Sequence, residues 1–389
     1  MNNFVLNQPT TIYFGNDSVA NIGKEASEYS KKALIVYGSD RIEKNGVLDQ
    51  AKKYLKESQV EVSTLSGVDP NPRITSVRKG IEICRKQNIG VLLPIGGGSV
   101  IDCAKAIAAG FYCDGDAWDL FAGTATIEKA LPLGCVLTLA ATGTEMNGNT
   151  VISNLETKQK IGAGSPLLRP KFSILDPEYT ITVPAYHTAA GTFDIISHVF
   201  EQYFDAAKTY LLDRLSEAVV KTCVEFGPIA MKDPANIEAR TNLMWAGTLA
   251  LNGLLNTGRG GDWAVHPIEH ELSAYYDITH GVGLAILTPA WMEYVLDGDN
   301  AYKFTNLGRG VFGLELNDDS VESAKKTIDA LRDFIQSIGM PLSLKEVGIG
   351  QGNLEIMASN VTGGGKSTVG NFKSLEAKDV LAIYKKCLN

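Results

Sequence analysis

Three of the five histidines fall within fifteen residues. In Trp263-x-x-His266-x-x-x-His270, two imidazoles stand one helical turn apart and share a face. Thr279-His280-Gly281 brings a third back from the following turn or helix. Upstream, Asp194-x-x-x-His198 sets a carboxylate and an imidazole on one helical face in the same way. That pair alone reads as well as a surface ion pair or a satisfied core histidine. Taken with the downstream cluster it reads differently. One carboxylate and three imidazoles suit a divalent transition metal, Fe(II) or Zn(II). With an open coordination position, such a metal is a Lewis acid toward an alcohol or carbonyl oxygen.

A second constellation is Gly96-Gly97-Gly98-Ser99, between an apolar strand-like run and a helical pattern. Glycines admit a ligand close to the backbone, and the first amides of a helix favour an anion. A bare glycine triplet is more often an ordinary tight turn; the strand–loop–helix context points to phosphate. The stretch is not the Gly-x-Gly-x-x-Gly fingerprint, because Ile101 stands where its last glycine belongs. Gly363-Gly364-Gly365-Lys366-Ser367 imitates a nucleotide-triphosphate loop, but Asn360 replaces its first glycine and no strand precedes it. It reads as a loop between helices.

The elements that would position these residues differ along the chain. TIYFG ending at Gly15, ALIVY (33–37), VEVSTLSGV, VLLPIGGG (91–98) and LGCVLTLAATG (133–143) read as strands. Helical patterns separate several of them, in VLDQAKKYLKES, in 75–88 and from Ser99. That alternation predicts a parallel sheet covered on both faces. After about Thr182 strand signals nearly vanish. Helical stretches are expected at 187–207, 210–231, 236–256, 284–296, 320–338 and 376–388. The division expected is a Rossmann-like α/β dinucleotide-binding domain over 1–182 and an all-helical metal-binding domain over 183–389.

Composition bounds the function. The chain has 389 residues, 36 Lys+Arg against 44 Asp+Glu, and a formal charge of -8. That balance lacks the basic footprint of a nucleic-acid binder and argues against docking on anionic lipid. No apolar run reaches the length of a membrane span, and the N-terminus shows no signal peptide. Six scattered cysteines without Cys-x-x-Cys spacing fit reduced thiols and a cytoplasmic location.

With these residues in view, the chain resembles the iron-containing (group III) alcohol dehydrogenases, and especially their butanol dehydrogenase-like branch. The resemblance runs from FGNDSVANIG and YGSDRIEKNGVLDQ through GGGSVIDCAK and TLAATGTEMN. Its most specific stretches are SILDPEYTITVPAYHTAAGTFDIISHVFEQY and GGDWAVHPIEHELSAYYDITHGVGLAILTPAWM. It implies a dehydroquinate synthase-like architecture. It also implies hydride transfer between NAD(P)(H) and a primary alcohol or aldehyde. Asp194, His198, His266 and His280 are implied as ligands of the catalytic metal, with His270 beside them as a proton relay. Gly97, Gly98 and Ser99 are implied to cradle the cofactor pyrophosphate, with Asp102 close by. Thr138, Leu139 and Thr142 would line the cofactor, and Lys160 would stand near the ribose. After the first core strand, NADP-using members carry a Gly-Gly-Gly-Ser-like stretch. Here it is Gly38-Ser39-Asp40-Arg41. Ser39, aligned with the Asp of NAD users, leaves room for a 2′-phosphate and Arg41 could add charge, whereas an inward Asp40 would repel it. The expectation is NADP(H) over NAD(H).

Besides a non-catalytic protein with a structural metal, which the phosphate loop disfavours, two other readings compete. One is a glycerol or polyol dehydrogenase of the same fold. The other is a metal-dependent hydrolase or lyase, which would not need the glycine loop. Trp118, Phe121, Phe193 and Trp263 are expected to line an apolar pocket, which favours a small alcohol or aldehyde over a polyol. A homodimer is expected, with the TIYFG strand at an exposed sheet edge.

Overall fold

The apolar runs of the N-terminal part become parallel strands in the computed structural model, which describes residues 1–207 and 209–389. The strands are β1 (Thr11–Phe14), β2 (Lys32–Tyr37), β3 (Glu61–Leu65), β4 (Val91–Gly96), β5 (Gly134–Leu137), β6 (Asn149–Asn154), β7 (Gln159–Gly164) and β8 (Phe172–Leu175). Six of them form one sheet in the order β1-β8-β5-β4-β2-β3, every neighbour parallel. β4 and β5 are buried at every position, as strands covered on both faces must be. Alternation decides which face each residue serves. Leu34, Val36 and Leu92 enter one apolar cluster. Ala33, Ile35, Leu93 and Ile95 enter the other.

The strand order places a switch point between β2 and β4. From β2 the chain steps outward to β3; from β4 it steps the other way to β5 and β8. Open α/β sheets bind ligands beyond the carboxyl ends of strands at such a point. Here Gly38–Arg41 follows β2 and Gly96–Ser99 follows β4.

The structure departs from the sequence reading in several places. β5 stops at Leu137 instead of running toward Gly143, and the backbone turns at Gly143 with φ +59°. β6 and β7 form an antiparallel hairpin that the sequence did not announce. Their residues, NTVISN and QKIGAG, lack a strong apolar alternation.

The chain clusters into two units: Asn7–Val183, and Pro184–Asn389 together with Met1–Leu6. The first six residues therefore do not lie with the α/β part, where the sequence reading put them. Asn2 N donates to Gly258 O at 2.8 Å, which ties the arm to the helical unit. The main helices of that unit are Ala185–Tyr203, Tyr210–Lys232, Ile237–Ala250, Val265–Tyr276, His280–Val295, Ala301–Phe312, Val321–Ser337, Leu354–Val361 and Ala377–Lys386. The expected 236–256 helix ends at Ala250, and Gly253 follows at φ +100°. Helices 301–312 and 354–361 were not expected. Among the described residues no helix is long and apolar enough to cross a membrane.

Candidate functional site

Helix Ala185–Tyr203 starts directly after Pro184, whose fixed φ suits a helix entry. Asp194, His198 and Glu201 recur on it at i, i+4 and i+7, so all three lie on one face. Helix Val265–Tyr276 begins after Trp263, which holds the left-handed φ of +59°. It carries His266, Glu269 and His270. Asp277, again left-handed at φ +52°, ends that helix, and His280 opens the next.

The side chains converge on Asp194 Oδ1. His198 Nδ1 lies 3.4 Å from it, His280 Nε2 3.8 Å and His266 Nε2 4.0 Å. Two ligand atoms held at ~2.1 Å by one tetrahedral ion stand ~3.4 Å apart. These separations therefore fit donors gathered around a common cation, and the last two are too long for direct hydrogen bonds. Asp194, His198 and His266 are buried, and each offers a donor atom within 4.8 Å of the others. Burial lowers the His198 pKa to about 4. It keeps that imidazole neutral, as a ligand must be.

Two carboxylates hold the histidines from behind. Glu201 Oε1 takes His266 Nδ1 at 2.8 Å and His266 N at 2.8 Å, while its Oε2 accepts from Ala264 N at 3.1 Å. It thus caps the helix start and orients His266 at once. Burial raises the Glu201 pKa to about 7, against the pull of these amides. Glu269 Oε2 hydrogen-bonds His280 Nδ1. Neither glutamate was singled out from sequence. Their signal was the same helical spacing that marked the histidines: Glu201 seven residues after Asp194, Glu269 three after His266. Gly281 is needed for the assembly: a Cβ there would lie 2.1 Å from Ala190 O, one turn before Asp194. His270 stands outside the Asp194 group and partly exposed, its ring 5.6 Å from that of His280.

In the α/β unit the expected cofactor residues gather around the glycine loop. β2 pairs with β4 through Tyr37 and Ile95, and β4 with β5 through Gly96 and Leu137. Gly38–Arg41, Gly97–Ser99 and Thr138–Thr142 therefore emerge from the carboxyl ends of three adjacent strands. A Cβ on Gly97 would meet Leu139 Cβ at 3.1 Å, and one on Gly98 would meet Thr142 Oγ1 at 2.7 Å. Thr138 Oγ1 is buried without a hydrogen-bond partner among the described residues. Ser99 Oγ donates to Pro70 O. Lys160 is buried on β7, opposite Ser153.

Asp102 is turned to another purpose. Its Oδ1 accepts from Thr144 Oγ1 at 2.7 Å and its Oδ2 from Val151 N at 2.9 Å. The carboxylate thus fastens its helix to the hairpin. Lys105, one turn on, is wholly buried and donates to Thr144 Oγ1, Asn147 O, Asn147 Oδ1 and Asn149 O. Phe193 is fully buried, and Phe121 packs in the α/β core. Trp118 stacks on Phe121 at 5.7 Å. Trp263 lies by the histidines, 5.9 Å from the His266 ring. Gly363–Lys366 is a run of turns, as expected of a loop.

Comparison with known proteins covers nearly the whole chain. The family model for iron-containing alcohol dehydrogenase matches residues 9–177, and that for the C-terminal part of the Fe-containing alcohol dehydrogenase family matches 188–388. The chain is 52% identical over 379 residues to the NADH-dependent butanol dehydrogenase A of Clostridium acetobutylicum, covering 97% of each. It is 36% identical to the NADPH-dependent aldehyde reductase YqhD of Escherichia coli, over 99% of each. The crystal structure of an NADH-dependent butanol dehydrogenase A from Thermotoga maritima matches with a TM-score of 0.96 at 42% identity. That match covers 100% of this chain and 99% of the other.

Proposed function

The chain belongs to the iron-containing alcohol dehydrogenase family, a family of nicotinamide-dependent oxidoreductases, and we propose that it interconverts a primary alcohol of about butanol size and its aldehyde. The observation that carries this reading is the convergence of three histidine nitrogens on Asp194 Oδ1 at 3.4–4.0 Å. Asp194, His198, His266 and His280 would hold the divalent metal, Fe(II) with Zn(II) as a competent substitute. When bound, the metal supplies Lewis acidity toward the substrate oxygen, and the nicotinamide gives or takes the hydride. His270, partly exposed and next to His280, is placed to exchange the alcohol proton with solvent. The butanol-sized substrate follows the names of the relatives at 52% and 42% identity.

Gly97, Gly98 and Ser99, at the start of helix Gly98–Gly110, would hold the cofactor pyrophosphate. Thr138, Leu139 and Thr142 would flank it, and the buried Thr138 hydroxyl offers a hydrogen bond that no partner among the described residues takes up. Lys160 is assigned to the ribose on the family resemblance. Asp102 supports the loop through its bonds to the hairpin.

The cofactor preference turns on Asp40. Ser39 and Arg41 point toward NADPH. Asp40 is exposed beyond β2, and Lys44 at 2.5 Å holds its carboxyl below the usual range, so it is ionised. An anion there suits a ribose hydroxyl and repels a 2′-phosphate. We therefore place NADH ahead of NADPH. Two copies are expected to pair along the free edge of β1, which follows exposed Phe4, Val5 and Leu6. Six unpaired cysteines suit the reducing cytoplasm.

The deciding assay follows NADH and NADPH consumption with butyraldehyde, on metal-stripped protein and after anaerobic addition of Fe(II) or Zn(II). Turnover that returns with metal and is faster with NADH is expected. Equal turnover in the stripped protein would overturn the metal assignment, and faster turnover with NADPH the role of Asp40.

A further inference from the structure

From the packing around His280 we infer that Glu269 is a positioning residue for the metal centre, fixing His280 so that Nε2, and not Nδ1, faces Asp194. This rests on the reading of Asp194, His198, His266 and His280 as metal ligands. Glu269 is fully buried, and a buried carboxylate must be paired. Both its oxygens are taken by protein donors. Oε2 pairs with His280 Nδ1, and Oε1 accepts from Ser273 Oγ at 2.5 Å. Ser273 Oγ also reaches Ile278 O at 3.2 Å, which ties the carboxylate to the turn that delivers His280. Its seat depends on Gly283: a Cβ there would lie 2.7 Å from Glu269 Cγ and 2.9 Å from Oε1. With the proton held on Nδ1, the Nε2 lone pair is left for the cation, and the ring cannot turn without breaking a buried charged hydrogen bond. Glu201 holds His266 by the same contact, but two backbone amides also anchor it. Glu269 lies within its helix and not at the helix start, so its effect can be tested apart from helix capping.

Glu269, His270 and His280 also bring donor atoms within 4.8 Å of one another. A second ion there is the rival arrangement. The occupied carboxylate oxygens argue against it.

The test is titration of the full-length apoprotein with Co(II) and Zn(II), following d–d absorption and chelator competition. Wild type, Glu269→Ala, Glu269→Gln and Gly283→Ala are compared. Wild type is expected to bind one ion. Glu269→Ala should bind it 10–100-fold more weakly. At saturation its Co(II) spectrum should match wild type, because the ligand set is unchanged. Glu269→Gln keeps an acceptor for Nδ1–H and should come back to within about tenfold of wild type. Gly283→Ala, which leaves every donor in place, should weaken binding in the same direction. Unaltered affinity in Glu269→Ala and Gly283→Ala would overturn the inference while leaving the ligand assignment intact. So would two ions in wild type and one in Glu269→Ala, which would make Glu269 a ligand. Wild type that binds no ion would overturn both readings.

Discussion

In the α/β unit a lysine is fully buried and meets four oxygens, and the aspartate beside it meets two donors. In the helical unit an aspartate is just as buried, yet three imidazole nitrogens gather around it at 3.4–4.0 Å. Both clusters place polar side chains one helical turn apart. Asp102 and Lys105 are a carboxylate and a cation with complementary partners, so that cluster closes on itself. Asp194 and the histidines present lone pairs to one another, which suits a shared cation. A polar cluster thus declares its task by whether its donors and acceptors cancel.

The sharpest way to break this comparison is to empty the second cluster. Asp194→Ala should lose metal by elemental analysis, and its kcat/KM for aldehyde reduction should fall by at least ~10³, the worth of several kcal/mol of Lewis acidity. Retention of both would show that the convergence serves only packing. Lys105→Met should act in the opposite sense. It removes the lysine's hydrogen bonds to four oxygens, of which Asn147 Oδ1 keeps the Asn149 amide, and leaves Asp102 without its neighbouring cation. Urea denaturation should show a loss of about 3–5 kcal/mol, with metal content unchanged. If metal binding fell with stability, the two clusters would not be independent.

Gly281→Ala sharpens the geometry. Its Cβ would press on Ala190 O at 2.1 Å, backbone that cannot give way. A cost of about 1–3 kcal/mol is expected, with weaker metal binding because His280 is displaced from Asp194. Asp40→Gly tests the smallest difference. Removing the exposed carboxylate should raise the NADPH-to-NADH ratio of kcat/KM by about tenfold, with NADH turnover and stability little changed. An unchanged ratio would remove Asp40 from cofactor choice.

Much of this was written in the sequence. The parallel sheet was legible because strands buried on both faces must be apolar throughout, as β4 and β5 are. Asp194 with His198 and His266 with His270 were legible because helical spacing alone puts each pair on one face. The β6–β7 hairpin and the short helices were not, since their patterns are weak and packing decides them. Nor was Asp102, whose type suits a cofactor contact or a staple equally well. Only tertiary structure brought Asp194 and His280 together across 86 positions, through an approach that the space left by Gly281 beside Ala190 O admits. Local spacing fixes which side chains share an element's face. Which faces meet depends on close approaches that no single segment encodes.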